Sequence, residues 1–328
     1  MSSKLFITLL FITFGWAKST AQIKVLDSVS KSPISYATVS FGSGQGIFAD
    51  DDGVFFFTKK LYPDVDSLFI SAIGFRNLKI ATYNLPNQLF LQPQVDALDE
   101  VVLSTKLNRK FKIEISKPYL DDDYYNCWLP TIESEIAVYF EKTSDKDQKL
   151  ESVSFPIALE SKDWNKRKRA NSQKKKFSTL FKVQFYVNDK GVPGKVLTYE
   201  TIVFRATEKD GDVYNLDVSG YNLYIPKDGF FVSIQVMGYT NKEGKLLPNK
   251  KYKEIKTKNE TVKIPTNFRP LLPFTDKVEG KNTFIKRIFI NGNNWVKFDK
   301  GNGFKSSLLD KNLFNYGIGI TYKTFKDE

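Results

Sequence analysis

The residues with the most evident chemistry are cations. Lys162, Lys166, Arg167, Lys168, Arg169, Lys174, Lys175 and Lys176 place eight positive side chains within fifteen residues, opposed by Asp163 alone and flanked by Trp164 and Phe177. Ammonium and guanidinium groups at this density attract phosphate, sulfate or carboxylate polymers, with a reach of about 10 Å at 0.1 M salt. Lys166, Arg167, Lys168, Arg169, Lys174, Lys175 and Lys176 are therefore the candidate polyanion contact; the competing reading is a solvated hairpin loop. A second basic stretch, Lys242–Lys258, is diluted by Glu243 and Glu254.

Catalytic constellations are few. The chain has no histidine and one cysteine, Cys127, which excludes Ser-His-Asp and Cys-His catalysis, His-ligated or all-Cys zinc, and an intrachain disulfide framework. A Ser-Lys dyad needs no histidine, and Ser28–Lys31 and Ser172–Lys175 both match Ser-x-x-Lys. With 24 Ser and 42 Lys in the chain, about three matches arise by chance, so two carry no signal. Asp50-Asp51-Asp52-Gly53 offers clustered oxygens to calcium, but an EF-hand needs a glutamate where Lys59 stands; a tight turn closed by Gly53 explains the same residues. Asp121-Asp122-Asp123 reads as a solvated loop. Trp128, Trp164, Tyr221, Tyr224 and Trp295 are candidates for a sugar-stacking face, although alternation along strands sends half of such aromatics into a core. Paired carboxylates for glycoside hydrolysis are a spatial feature and stay open among 37 acidic residues. No catalytic residue, metal ligand or cofactor is assigned.

The elements that must position these groups read as strands. Between residues 22 and 105, short alternating runs recur with turn chemistry between them: Gln22–Asp27, Ile34–Phe41 broken by Gly42, Gly44 and Gly46, Val54–Phe57, Ser67–Ala72, Gln88–Leu91 and Leu98–Leu103, about seven strands in all. Residues 106–110 read as a linker. From Phe111 the strands resume with longer loops, clearest at Phe181–Val187, Leu197–Arg205, Phe230–Met237 and Tyr316–Tyr322; Asp189-Lys190-Gly191 and Lys227-Asp228-Gly229 supply turns. No helix longer than two turns is expected. The predicted class is all-β, a small β-sandwich (22–105) followed by a larger, jelly-roll-like β-sandwich (111–328). Charge divides unevenly: residues 22–105 carry six basic and nine acidic side chains, whereas residues 106–328 carry 41 and 28. Two modules so different in field are expected to face different neighbours.

Residues 1–21 read as a secretory signal: Lys4, then the apolar run Leu5–Phe14, then Ser19-Thr20-Ala21 with small residues at −3 and −1 before Gln22. The run is half the length of a membrane span, so the expected product is exported, to the periplasm, the outer-membrane surface or beyond, with no span left after cleavage. Export replaces nucleic acid, as the partner of the basic segment, with anionic envelope components or acidic glycans.

Residues 22 to about 105 resemble the carboxypeptidase regulatory-like domain, a small transthyretin-like sandwich common in exported proteins of Bacteroidetes-type bacteria. The resemblance rests on Ile23-Lys24-Val25-Leu26-Asp27, Ser32-Pro33-Ile34-Ser35-Tyr36-Ala37-Thr38-Val39, Ala49-Asp50-Asp51-Asp52-Gly53-Val54-Phe55, Ser71-Ala72-Ile73-Gly74-Phe75 and Leu98-Asp99-Glu100-Val101-Val102, in that order. It implies an accessory module. The peptidase for which the module is named holds zinc with histidines and a glutamate, which a chain lacking histidine cannot reproduce. In relatives, the segment like Leu98–Val102 lies near the stretch that pairs with TonB, so an envelope protein met by strand addition stands beside the simpler reading of a last strand. The expected function is an exported, non-enzymatic envelope protein that binds or scaffolds; the alternative is a glycan hydrolase with paired carboxylates in the second domain.

Overall fold

The structure is a computed structural model that describes residues 22–94, 109–121, 123–162, 173–248, 252–256, 261–290 and 294–326. The signal reading of residues 1–21, the Leu98–Leu103 strand, most of the 106–110 linker and Lys166–Arg169 lie outside the described residues. What is described is all-β. The one α-helix among them, α1 (Ser307–Asp310), is a single turn, and no helix there is long and apolar enough to cross a membrane.

Seven strands build the first module: β1 (Gln22–Asp27), β2 (Thr38–Gly42), β3 (Gln45–Phe48), β4 (Val54–Phe56), β5 (Ser67–Ser71), β6 (Leu78–Ala81) and β7 (Gln88–Leu91). One sheet runs β4-β1-β7, with β7 parallel to β1; the other runs β3-β2-β5-β6 and is antiparallel. Ile23, Val25, Val39, Phe55, Leu68, Ile70, Leu89 and Leu91 meet between them as a core. The period-two pattern of Ser67–Ser71 and Gln88–Leu91 appears as alternating burial. The expected strand over Ile34–Phe41 begins only at Thr38. Tyr36 sits at φ 57 and its N–H donates to Asp50 O, so the chain turns there first. The glycine-rich break is a turn through Gly42 and Gly44, and Gly46 lies inside β3, a strand the composition concealed.

The larger module is a second sandwich. Its main sheet takes β10 (Ser134–Phe140), β12 (Ser178–Asp189), β13 (Val192–Val196), β14 (Ile202–Thr207), β16 (Phe230–Tyr239), β20 (Thr283–Arg287) and β21 (Val296–Lys297), in the order β13-β12-β16-β10-β20-β21 with β14 also pairing β12. The facing sheet takes β8 (Phe111–Ser116), β11 (Gln148–Pro156), β15 (Val213–Asp217) and β23 (Gly319–Phe325), ordered β15-β11-β23-β8. Short pieces complete it: β9 (Cys127–Trp128), β19 (Leu272–Thr275) and β22 (Asn315–Tyr316) in one sheet, β17 (Tyr252–Lys256) with β18 (Thr261–Pro265) in another. Phe155 of β11 stacks on Phe204 of β14 across the gap, and Phe181 stacks on the same ring. The expected strand at Leu197–Arg205 starts later, at Ile202, because residues 197–201 turn the chain from β13 into β14.

The two modules touch. Ser40 Oγ donates to the Phe289 carbonyl at 2.7 Å, Phe48 packs its ring against Phe289, and Lys245 Nζ stands 3.2 Å from Asp52.

Candidate functional site

Strand β12 is apolar at alternate positions. Phe181, Val183 and Phe185 enter the large core, so the pleat sends Lys182, Gln184 and Tyr186 to the other face. Antiparallel pairing sets Lys182 opposite Gln235 of β16, Gln235 opposite Glu135 of β10, and Glu135 opposite Lys286 of β20. The next rung places Gln184 opposite Ser233, and the one after places Tyr186 opposite Phe231. A polar row thus crosses four neighbouring strands, and most of it is buried: Glu135, Lys182, Gln184, Tyr186, Ser233 and Gln235 are each at most 9% exposed.

Within this row only part of the hydrogen-bonding capacity is used. Glu135 Oε1 accepts from Tyr186 Oη at 2.7 Å and from Ser233 Oγ at 2.6 Å. Burial pushes the Tyr186 phenol well above its usual range, and the Glu135 charge adds to that. Burial lowers the Lys182 ammonium, with the Glu135 charge opposing; the two groups are too far apart for an ion pair, and Lys182 Nζ makes no hydrogen bond or ion pair among the described residues. Both amide atoms of Gln184, and Nε2 of Gln235, are buried without a partner. A buried polar atom left unpaired costs about 1–3 kcal/mol, and three of the four such atoms among the described residues share this face.

Lys182 borders a crevice of about 330 Å³ between the modules. Tyr199 and Thr201 line it from the larger module; Asp27, Ser30, Ser32, Ser35, Tyr36 and Phe75 line it from the smaller. Asp27 is already committed, because its carboxylate accepts from Val29 N–H at 2.8 Å and Ser30 Oγ at 2.9 Å and is held below the usual carboxylate range, chiefly by the Val29 N–H. Two other crevices lie elsewhere: one beside Asp50, Phe56, Tyr62 and Leu246, the other bounded by Lys142, Thr143, Ser144, Asp145 and Lys227.

The residues singled out from sequence scatter. Of the basic segment, Lys162, Lys174, Lys175 and Lys176 are described. Its ends are joined antiparallel, with Lys162 N–H donating to Gln173 O and Lys175 N–H to Glu160 O. Lys175 Nζ also donates to Glu160 Oε1 at 2.7 Å, and Arg269 Nε donates to Glu160 Oε2; Lys175 is therefore an anchor, while Lys176 is exposed. Asp50 acts as a turn residue, its Oδ1 accepting from Asp52 and Val54 N–H, with Gly53 at φ 72. The carboxylates of Asp50, Asp51 and Asp52 lie close together, but the turn accounts for their geometry. Lys31 Nζ donates to the Ser28 carbonyl and not to its hydroxyl, so that pair is no dyad. Asp121 and Asp123 cap the turn at Tyr124–Asn126. Trp128 packs on Phe274 and Phe298, Trp295 on Tyr186, and Tyr224 on Phe325; these rings serve packing. Trp164 lies outside the described residues. The polar row of β10, β12 and β16 was not singled out. Its one signal was Lys182 and Gln184 alternating with Phe181, Val183 and Phe185, a pattern that reads as an ordinary solvent face.

No protein-family model and no curated protein matches the chain. Among solved structures, it is similar to the cysteine protease and lectin-like domains of Cwp84, a surface layer associated protein of Clostridium difficile, at 13% identity and a TM-score of 0.30. The match covers 58% of this chain and 32% of that one, and a superposition this shallow assigns neither family nor ligand.

Proposed function

We infer that the chain is an exported, non-enzymatic protein of the cell envelope that binds or scaffolds, with residues 22 to about 105 as a carboxypeptidase regulatory-like accessory module and the basic segment as its contact with anionic envelope material. The observation that carries this is the partition of charge: 41 basic against 28 acidic residues beyond residue 105, next to a module with six against nine, and eight of those cations between Lys162 and Lys176. Hydrolysis of glycans has less support. It needs two facing carboxyl groups about 5–10 Å apart in a cleft, and among the described residues each of the three crevices above carries one carboxylate, Asp50, Asp145 or Asp27.

Association with vesicles of phosphatidylglycerol and with lipopolysaccharide, read by sedimentation, tests the reading. Binding at low salt is expected to fall steeply by about 0.5 M, where the screening length shrinks to a few ångströms. Replacing Lys166, Arg167, Lys168 and Arg169 with Gln is expected to weaken it strongly while shifting stability by no more than about 0.5 kcal/mol. Equal binding by wild type and variant at low salt would overturn the assignment.

A further inference from the structure

We propose that β8 is a self-association edge, through which two copies of the chain pair about a two-fold axis at Ile113 and join their β15-β11-β23-β8 sheets into one. Among the described residues β8 ends that sheet and pairs with β23 alone. Phe111, Ile113 and Ile115 alternate along it on one face and are 46%, 56% and 63% exposed. The opposite edge strand, β15, exposes Asn215 and Asp217 instead. An apolar edge with free backbone groups is a template for another strand, and the backbone of β8 is in phase for one. Lys326 N–H donates to the Lys110 carbonyl, one step beyond the Phe111–Phe325 pair of the β8–β23 register. Antiparallel bonding alternates from there, so Lys112, Glu114 and Ser116 bond β23, while Phe111, Ile113 and Ile115 turn their N–H and C=O groups to the open edge.

The order of side chains selects a second copy as the partner. Phe111-Lys112-Ile113-Glu114-Ile115 complements itself when run antiparallel about Ile113. Ile113 then meets Ile113 of the second copy, Phe111 meets Ile115, and on the other face Lys112 meets Glu114, with the last two pairings made twice by symmetry. This register joins the outward backbone groups of Phe111, Ile113 and Ile115. The two nearest registers of the same backbone phase set Lys112 against Lys112 or Glu114 against Glu114, and like charges directly opposite are destabilising. A lysine on an edge strand deters pairing with unrelated strands; Glu114 of the second copy answers it, as Glu114 already does within the chain at 3.4 Å.

Self-pairing through β8 is independent of the basic segment, and sedimentation equilibrium of the chain from Gln22 onward tests it. Wild type is expected to pass from monomer towards dimer between about 1 and 100 µM, with amide exchange at Ile113 and Ile115 slowing over the same range. Lys112→Glu and Glu114→Lys are each expected to weaken the dimer about tenfold, because each opposes like charges in two symmetry-related pairs. Mixing these two variants in equal amounts is expected to restore association, since opposite charges then face one another across the axis; a defect of folding would not be rescued by mixing. Ile113→Pro removes an outward N–H and no bond to β23, so it is expected to abolish the dimer and keep the β-type circular dichroism spectrum. A wild type still monomeric at about 100 µM, or variants no more associated together than apart, would overturn the proposal. So would protection of Ile113 and Ile115 that does not change with concentration, the result if another segment of the same chain lay on the edge.

Discussion

Glu160 accepts from Lys175 and Arg269 while only 7% of its side chain is exposed. Burial pushes its carboxyl up, but the hydrogen bonds and charges of Lys175 and Arg269 outweigh that and hold it below the usual carboxylate value. A group whose pKa is lower in the folded than in the unfolded chain contributes stability that is fully present above its unfolded pKa and lost as pH falls through the folded value. Glu160→Gln is therefore expected to lower unfolding free energy by about 2–3 kcal/mol near pH 7. The deficit should shrink once pH falls below 4.5, the ordinary value for this side chain. Urea denaturation of both proteins at pH 7 and at about pH 3.5 checks it, and a deficit independent of pH would mean that Gln fails there for packing reasons alone. Glu135 contrasts with Glu160: its donors are the hydroxyls of Tyr186 and Ser233, and neither Lys182 nor Lys286, the cation opposite it on β20, is bonded to it; Lys286 lies over the Trp295 ring instead. One carboxylate is closed by cations, and the other by hydroxyls.

At the scale of elements, the hairpin of β2 and β3 is what couples the two sandwiches. Phe289 follows β20, and its ring lies so close over Gly46 that a Cβ there would overlap both the ring and the Val39 carbonyl oxygen. Ser40 Oγ bonds the Phe289 carbonyl from the neighbouring strand, and Phe48 meets the Phe289 ring at 5.4 Å between centroids. Gly46→Ala is accordingly expected to cost about 1–3 kcal/mol by overpacking. Phe289→Leu in the same chain should recover only part of this, because the backbone overlap with Val39 persists. Denaturant melts of the single and double variants decide the matter, and a neutral Gly46→Ala would show that the strands separate freely at this point. Strand β12 organises the site in the same way: one face supplies Phe181, Val183 and Phe185 to the large core, so the opposite face carries Lys182 and Gln184 in register with Gln235 and Ser233 of β16.

Across the whole molecule, two large apolar clusters stand behind that contact among the described residues, beside two clusters of three or four buried side chains. The smaller holds fifteen buried side chains, all between Ile23 and Leu91; the larger runs from Ile132 to Tyr322 and also takes in Phe48. A fragment of residues 22–105 is expected to give a cooperative β-type melt by circular dichroism. Its midpoint should fall below that of the full chain, because Phe48 and Tyr36 lose partners in the larger core. A random-coil spectrum would show that the small core cannot stand without its neighbour. The charge difference between the modules is also partly used inside the molecule, through Lys245 and Asp52. Both side chains are more than half exposed, and such a pair is worth little on its own.

The all-β class was legible from local chemistry. Alternation in Ser67–Ser71, Gln88–Leu91 and Phe230–Tyr239, and turns at Asp50–Gly53, Lys190-Gly191 and Asp228-Gly229, depend on residues near one another in the chain, where side-chain period and left-handed glycine conformations act directly. In the first module, β3 and β6 went unread because β3 carries Gly46 among turn glycines and β6 has no fully buried side chain to mark an inner face. The candidate site was invisible for a different reason. Lys182 and Gln184 alternate with core residues as any solvent-facing pair does, and a period of two separates the faces of a strand without saying what will cover the polar one. Sequence determined that these groups leave the large core. Only tertiary structure decided that they would be buried: it brings Gln235 and Glu135 alongside through pairings 50 to 100 residues apart in the chain, and it sets Tyr36 and Ser35 of the first module across the crevice.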